Sequence, residues 1–278
     1  MAFVGRTTTI GGGDSKRAMR RAEFRFYEEL NDFLPPEKRK VAFDYPFDGT
    51  PSIKDAVEAV GVPHTEIDVI LADGRSVGFD YRLHGGERVA VYPMFEAMDV
   101  APLVRLRPTP LRTTRFIVDV HLGALARHLR LIGFDTVWRN DLGRSEIVDI
   151  ALRQRRIILT RDRGMLRLSR VTHGYWPRAT DSLAQLEEVV RALELGTQLR
   201  PYTRCLECNG ALAPVAASDV AALVPPYIAS TQTQFTRCDG CGRVYWAGSH
   251  RPQLDAVVAA AQAAALQLRC PPASTSDS

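Results

Sequence analysis

Three aspartates in the middle of the chain have the type and spacing expected of metal ligands. Asp119 directly follows a short apolar run, and Asp141 and Asp162 each follow another such run after two intervening residues. The runs are residues 116–118, 136–138 and 157–159. Short β-branched runs separated by helical patterns predict parallel strands with crossover helices, whose ligands bind at the carboxyl ends of the strands. We therefore expect the three carboxylates to meet at one rim of a sheet.

Carboxylates gathered in this way would raise one another's pKa unless a cation relieved the repulsion. Mg²⁺ and Mn²⁺ take oxygen ligands of this kind. A divalent metal that is held by carboxylates and open to a phosphate is the minimum that a hydrolytic nuclease needs. Aspartate at a strand end also hydrogen-bonds to local backbone. The alternative is therefore that all three aspartates are ordinary turn residues and bind no metal.

Two other acidic residues lie next to the predicted rim. Glu146 falls in the first turn of a helix that Ser145 is expected to cap, and Asp181 precedes a helix that begins near residue 182. A carboxylate near a helix N-terminus is favoured by the helix dipole, so a purely local role is open for both. A helix that begins beside the rim can also direct a carboxylate into it. We predict Glu146 as a fourth catalytic residue and Asp181 as an N-cap, with the site as its alternative.

Arginines surround the acidic residues in sequence. Arg161 and Arg163 flank Asp162, and Arg127 and Arg144 belong to neighbouring helical segments. As ion-pair partners, Arg161 and Arg163 would only neutralise Asp162. In a nuclease they would bind the phosphates of RNA, because a guanidinium offers a bidentate fork.

Two Cys-x-x-Cys pairs follow, formed by Cys205 with Cys208 and by Cys238 with Cys241. Four thiolates in this spacing suit tetrahedral Zn²⁺ in a structural site. Two disulfides or a redox pair are the alternatives, and both fit poorly with a chain that has no secretory signal. Aromatic residues near the second pair could stack on bases or pack the zinc module.

The first hundred residues have a different pattern. Alternating strands, a helix after Ser52 that ends at Gly61, and further strands resemble the β-grasp fold of ubiquitin-like domains related to sulfur carriers. Gly85-Gly86 lies inside the chain, whereas sulfur carriers need a free C-terminal Gly-Gly, so we expect a docking or regulatory domain.

Charge is distributed unevenly along the 278 residues. Residues 1–100 contain 13 basic and 17 acidic side chains, whereas the remainder contains 23 basic and 15 acidic. This asymmetry predicts a polyanion-binding part joined to one that does not bind nucleic acid, although a compositional bias toward Arg is an alternative. No run is long enough for a membrane span, so we expect a cytoplasmic protein.

The expected organisation has six parts. They are a disordered N-terminus (1–20), a β-grasp domain (21–98), a linker (99–114), a nuclease-like domain (115–200), a zinc ribbon (201–252), and a C-terminal helix and tail (253–278).

Several motifs together resemble the Mut7-C RNase family. They are Phe116-Ile117-Val118-Asp119, the stretch from Leu122-Gly123 to Gly133-Phe134-Asp135, Asn140-Asp141, Thr160-Arg161-Asp162-Arg163-Gly164 and the Cys pairs. The resemblance covers residues 22–250 and implies a PIN-like α/β/α nuclease domain, a zinc ribbon and an N-terminal ubiquitin-like domain. Many relatives are more acidic where this chain has Leu142-Gly143-Arg144-Ser145, so the number of ligands stays open.

The resemblance implies metal-dependent RNA cleavage, with Asp119, Asp141 and Asp162 as Mg²⁺ or Mn²⁺ ligands and Arg127, Arg144, Arg161 and Arg163 on the RNA. The expected partners are RNA, including tRNA or another structured RNA, and a protein that binds the N-terminal domain. A non-catalytic RNA- or ribosome-binding protein is the alternative. A third hypothesis is a nuclease that its N-terminal domain keeps inactive.

Overall fold

The computed structural model describes residues 19–93 and 113–267. Residues 1–18 of the expected disordered N-terminus, the tail and most of the expected linker lie outside these residues, whereas Arg20 already belongs to a strand. Within them, no helix has the length and apolar character needed to cross a membrane.

The N-terminal domain is a five-stranded sheet with one main helix. Its elements are β1 (Arg20–Phe26), β2 (Phe43–Phe47), α1 (Ile53–Val60), β3 (Ile67–Ala72), β4 (Arg75–Ser76) and β5 (Arg88–Pro93). The strand order is β2-β1-β5-β3-β4, with β1 and β5 parallel and the other neighbours antiparallel. This topology agrees with the predicted β-grasp fold.

Helix α1 begins and ends as predicted. Ser52 accepts a hydrogen bond from the Asp55 N–H, and Gly61 ends the helix at φ 114°, a conformation that glycine adopts without strain. Phe24 and Phe26 of β1 are buried in the same core as Ile53 of the helix. The turn signal at residues 72–75 predicts a following strand over residues 77–79, but the strand is Arg75–Ser76, and Val77 adds only its N–H, which donates to the Ile70 carbonyl (3.0 Å).

The central domain is a parallel sheet with helices on both faces. Its elements are β6 (Arg115–Val118), α2 (Gly123–Leu131), β7 (Asp135–Val137), α3 (Arg144–Gln154), β8 (Ile157–Leu159), α4 (Arg163–Leu166), β9 (Gly174–Tyr175) and α5 (Ser182–Ala192). The strand order is β7-β6-β8-β9, and every pair is parallel. The run Tyr175-Trp176-Pro177-Arg178 predicts a fourth strand, and the observed strand is the shorter Gly174–Tyr175.

Alternation along β6 produces the two cores of this α/β/α sandwich. Phe116 and Val118 pack with residues of α2 and α5, whereas Ile117 packs with residues of α3. Side chains of successive strand residues point to opposite faces, so one short strand supplies both cores.

One capping prediction is wrong. Gly143 is the N-cap of α3, and Ser145 lies within its first turn. The helix therefore begins two residues earlier than the Ser145 cap would require, and no side chain caps it.

The C-terminal region contains a three-stranded antiparallel sheet and a long helix. Its elements are β10 (Leu212–Val215), α6 (Ala217–Val220), α7 (Pro226–Thr231), β11 (Phe235–Cys238), β12 (Val244–Trp246) and α8 (Arg251–Gln267). Helices α6 and α7 form an insertion between the two cysteine pairs. Val258 and Ala261 of α8 are buried in the core that α5 shares, so this helix packs on the central domain.

The N-terminal and central domains meet through a charged and aromatic joint. Glu66 accepts a hydrogen bond from the Trp176 N–H (2.8 Å) and contacts the Arg178 guanidinium (3.3 Å). Arg178 also pairs with Asp32 (3.1 Å), and the Phe33 ring lies 5.1 Å from the Trp176 ring. Burial lowers the pKa of Arg178, but the nearby Glu66 carboxylate and other acidic groups raise it by more. The net effect is a raised pKa, so this guanidinium is a fixed positive charge.

Candidate active site and metal centre

Asp119 stands at the carboxyl end of the central strand β6 and is 8% exposed. Its Oδ2 accepts a hydrogen bond of 2.5 Å from the Thr160 hydroxyl, which follows β8. The same hydroxyl oxygen accepts from the Asp162 N–H (2.9 Å). Thr160 therefore ties the end of one strand to the turn after its neighbour.

The Asp162 carboxylate has a local role as well. Its Oδ1 accepts from the Met165 N–H (3.1 Å), so Asp162 is the N-cap of the short helix α4. Its Oδ2 lies 3.5 Å from the Arg144 guanidinium of α3. One oxygen of this carboxylate is thus bound by the backbone, and the other lies beside an exposed guanidinium.

A single arginine holds the other two candidate carboxylates. Arg139 follows β7, donates to Asp141 (3.0 Å) and also donates to Glu146 of α3 (2.7 Å). Both acidic side chains are well exposed, with that of Asp141 at 70%. The two acceptors raise the pKa of Arg139.

Asp119 differs from the other three acids. Across residues 19–93 and 113–267, no arginine lies within salt-bridge distance of Asp119, and no hydrogen bond reaches its Oδ1. One oxygen of a buried carboxylate is thus left for another partner.

The rim carboxylates are not gathered into a ready-made metal site. In the described part of the chain, the one group of at least three His, Cys, Asp or Glu ligand atoms that all lie within 4.8 Å of one another is the four cysteines. Asp119, Asp141 and Asp162 follow adjacent strands, as expected, but their shared coordination of an ion stays a prediction.

The predicted RNA-binding arginines fall into different surroundings. Arg161 is exposed beside the rim, with its guanidinium 3.5 Å from the Ala179 carbonyl. Arg127 pairs with Glu207 next to the first Cys pair (2.9 Å). Arg144 is held by Asp162, as described above. The fourth, Arg163, stacks on Trp176 with its guanidinium 4.2 Å from the ring centroid, at the domain joint.

Asp181 has the local role that the sequence predicts. Its carboxylate accepts from the backbone N–H groups of Leu183 and Ala184, so it is the N-cap of α5. These hydrogen bonds hold the pKa of Asp181 below its usual range.

The four cysteines form a cluster of the right size for zinc. The Sγ atoms of Cys205 and Cys241 are 3.7 Å apart, and those of Cys208 and Cys238 are 3.3 Å apart. Tetrahedral Zn²⁺ with Zn–S bonds of about 2.3 Å requires sulfurs about 3.8 Å apart. The cluster could therefore bind zinc with little adjustment.

The surroundings of the thiols favour the thiolate form at one position. Burial raises the pKa of Cys205, but hydrogen bonds from the Cys208 backbone and the Tyr245 hydroxyl (3.0 Å) outweigh it and lower this pKa to about 6. Gly210 is required for packing, because a Cβ there would lie 2.7 Å from the Cys238 Sγ. Tyr245 thus forms a hydrogen bond with a cysteine, and Phe235 is buried in the core of the module.

The first Cys pair is bound to the edge strand β7 of the central sheet. The buried Arg130 side chain donates to the carbonyls of Leu206 (3.0 Å), Glu207 (2.8 Å) and Thr136 (3.0 Å). Asn209 accepts from the Thr136 N–H (2.9 Å). Burial lowers the pKa of Arg130, and the nearby thiols oppose that shift. The cysteine module is therefore a fixed extension of the sheet.

Two protein-family models match this chain. A model described as the Mut7-C RNAse domain matches residues 114–258, which is more than half of the chain. The chain belongs to the Mut7-C RNase family. A model described as Mut7-C ubiquitin matches residues 19–99, in the expected order. No curated protein and no solved structure matches the chain.

Two residues of this Mut7-C RNase domain were missed as site residues by reasoning from the sequence. Thr160 stands inside the family motif but was read only as part of its pattern, although a hydroxyl directly between a strand and Asp162 is a signal for a bridging role. Arg139 lies next to Asn140-Asp141, where only Asp141 is predicted as a site residue. Thr160 acts through a contact between two strand ends, and Arg139 through contacts with its own loop and with helix α3, none of which spacing along one strand reveals.

Proposed function

We propose that this protein hydrolyses RNA phosphodiester bonds with Mg²⁺ or Mn²⁺ bound at the carboxyl rim of the parallel sheet. The observation that carries the proposal is Asp119, a buried carboxylate with one oxygen held by Thr160 and no arginine beside it among the described residues. A buried charge of this kind is costly unless a cation or hydrogen bonds compensate it. In a member of an RNase family, a divalent cation is the partner that fits best.

The donor set fits such an ion in its chemistry, since all the candidates offer carboxylate oxygens. Asp119 would be the first ligand, and Asp141, Glu146 and Asp162 would supply further oxygens. When bound, the ion would activate a water and stabilise the charge that develops on the phosphate.

The chain's own residues would orient the acids and the substrate. Thr160 fixes the rotation of the Asp119 carboxylate. Arg139 and Arg144 can exchange their carboxylate partners for substrate phosphates, because a guanidinium binds either anion through the same fork. Arg161, exposed at the rim, would bind the next phosphate. The cysteine module, with zinc, would hold β7 in place, and the ubiquitin domain would offer a surface to a protein partner.

A second candidate is an RNA- or ribosome-binding protein without catalysis. It is favoured by the arginine pairing of Asp141, Glu146 and Asp162, since charge compensation within the chain reduces the need for an ion. This function predicts salt-dependent RNA binding that persists when the acids are removed.

The test is RNA cleavage by the full chain with added Mn²⁺, without a chelator that would strip zinc. Asp119→Asn should lower the rate by at least about 100-fold, because a lost ligand removes several kcal/mol of transition-state stabilisation. The matched control is Glu187→Gln, which neutralises a carboxylate of α5 that pairs with Arg191 (3.6 Å).

The control should cleave at the rate of the unchanged protein. Equal rates for Asp119→Asn and Glu187→Gln would reject the metal site. RNA binding with no cleavage by any form would favour the second candidate.

A further inference from the structure

The N-terminal domain contains a run of three basic residues, Lys38-Arg39-Lys40, between β1 and β2, of which Arg39 and Lys40 are exposed and Lys38 is half-buried. In the described ranges, no carboxylate lies within salt-bridge distance of any of the three. This domain lies in the acidic part of the chain, so a local concentration of uncompensated positive charge is unexpected there. We name residues 38–40 the basic turn.

The basic turn is held in a defined conformation. Asn31 is buried and accepts the Lys40 N–H (2.6 Å), while its own amide group donates to the carbonyls of Phe26 (3.1 Å) and Glu28 (2.9 Å). Lys40 has φ 58°, a left-handed conformation that costs a lysine free energy. Strain of this kind persists only where the surroundings impose it, so the lysine is presented by a built structure.

Contacts across the domain joint place the basic turn beside Arg163. Arg163, which directly follows Asp162, donates to the Asp32 carbonyl (3.2 Å) and lies over the Phe33 ring (4.9 Å). Arg39 donates to the Leu34 carbonyl (2.8 Å). Two carbonyls that are two residues apart are separated by at most about 7 Å. The guanidinium groups of Arg39 and Arg163 therefore bind the same short segment.

Their electrostatic influence on each other agrees with this geometry. Burial, and then the positive charges of Arg178 and Arg39, lower the pKa of Arg163, while Asp32 opposes them. Arginine charge thus continues from the turn after Asp162 into the N-terminal domain, and the Asp32 carboxylate that opposes it is paired with Arg178 (3.1 Å).

We propose that the basic turn of the ubiquitin domain binds the phosphate backbone of the RNA that lies on the rim. The inference rests on the proposed function in taking RNA as the substrate. It revises the expectation that the N-terminal part does not bind nucleic acid, and it makes this domain part of the substrate groove. Neither lysine has a carboxylate partner among the described residues, although Lys38 lies over the Phe43 ring (4.9 Å). The phosphates of an RNA bound at the rim would supply the missing negative charge.

The test measures the salt dependence of RNA binding by the full chain. In an Asp119→Asn background without added divalent ion, fluorescence anisotropy of a labelled single-stranded RNA gives the affinity over a series of KCl concentrations. The test variant is Lys38→Gln with Lys40→Asn, because asparagine tolerates the positive φ at residue 40.

The control variant is Arg75→Gln with Arg88→Gln. It removes the same charge from the same domain: Arg75 is in β4, at the sheet edge opposite β2, and the Arg88 side chain is 83% exposed.

Each lost phosphate contact reduces the slope of log K against log salt by about 0.7 for a single strand. The test variant loses two contacts, so its slope should be smaller by about 1.4. If the affinities of the two proteins are equal at 1 M salt, the test variant should bind RNA about 25-fold more weakly at 0.1 M salt. The control should keep the slope. Lys38→Arg with Lys40→Arg should keep it too, which separates charge from packing.

Equal slopes for the test and control variants would overturn the inference and leave the basic turn to an acidic protein partner. That result would not affect the cleavage test. Conversely, a reduced slope in a protein that never cleaves RNA would support the inference while the catalytic proposal failed.

Discussion

Replacing Thr160 by valine tests how the rim is organised. The Thr160 side chain is fully buried, and its hydroxyl donates to Asp119 and accepts from the Asp162 N–H. Valine keeps the branched shape and removes both hydrogen bonds. The change therefore leaves every candidate ligand in the chain but releases the rotation of the Asp119 carboxylate.

The expected magnitude follows from the kind of hydrogen bond that is lost. A bond to a charged group contributes about 1.5–3 kcal/mol. Removing a residue that orients a metal ligand lowers metal affinity or activity about 10–100-fold, which corresponds to about 1.4–2.7 kcal/mol. The two estimates agree, so we expect Thr160→Val to lower Mn²⁺ affinity and the RNA cleavage rate by about 10–100-fold.

A matched control exists on the edge strand β7. Thr136 in β7 is also fully buried, and its hydroxyl donates to the Phe134 carbonyl (3.1 Å), away from the carboxylates. Thr136→Val should lower stability by about 1 kcal/mol and leave Mn²⁺ binding unchanged. Titration calorimetry with MnCl₂ and the cleavage rate of a labelled RNA measure both effects. If the two valine variants bound Mn²⁺ equally well and cleaved equally fast, the orienting role of Thr160 would be refuted.

Two further predictions concern the joints between the parts of the chain. Arg178→Ala removes the arginine partner of Glu66, whose side chain is 3% exposed, and should lower the free energy of unfolding by about 3–5 kcal/mol in denaturant titrations. Arg88→Ala, which breaks an exposed pair, should lower it by less than about 1 kcal/mol, and equal losses would contradict a buried joint. Asn209→Gly tolerates the positive φ of 70° at this position and removes the hydrogen bonds to β7. It should lower the free energy of unfolding by about 1–3 kcal/mol. The zinc content, measured by atomic absorption, should not change. A loss below about 0.5 kcal/mol would show that the cysteine module is not held through Asn209.

The local patterns of the chain were sufficient for most of the elements. Strict spacing predicted the strands around Ile117 and Ile158, and the caps at Ser52 and Asp181 followed from short-range hydrogen-bonding rules. The Ser145 cap was wrong because a glycine two residues earlier could begin the helix without a side-chain cap. Local propensity cannot choose between adjacent starting points when tertiary packing of α3 makes that choice.

The candidate site was predictable in part. Reasoning from strand ends placed Asp119, Asp141 and Asp162 after adjacent parallel strands, which the sheet order bears out. It did not foresee that Arg139 and Arg144 engage the acids, or that Arg163 turns toward Trp176. These contacts join side chains from different strands, helices or domains, and their partners are set by the packing angles of whole elements.

By itself, the sequence determined the parallel sheet, the β-grasp order and the four-cysteine cluster, because each depends on a period or spacing that a short segment carries within itself. The tertiary structure alone decided which carboxylate has no arginine beside it, and that Thr160 joins two strand ends. It also decided that the basic turn of the N-terminal domain lies beside Arg163. The reason is physical: charges and hydroxyls have many partners of equal chemistry along the chain, and only the folded distances select among them.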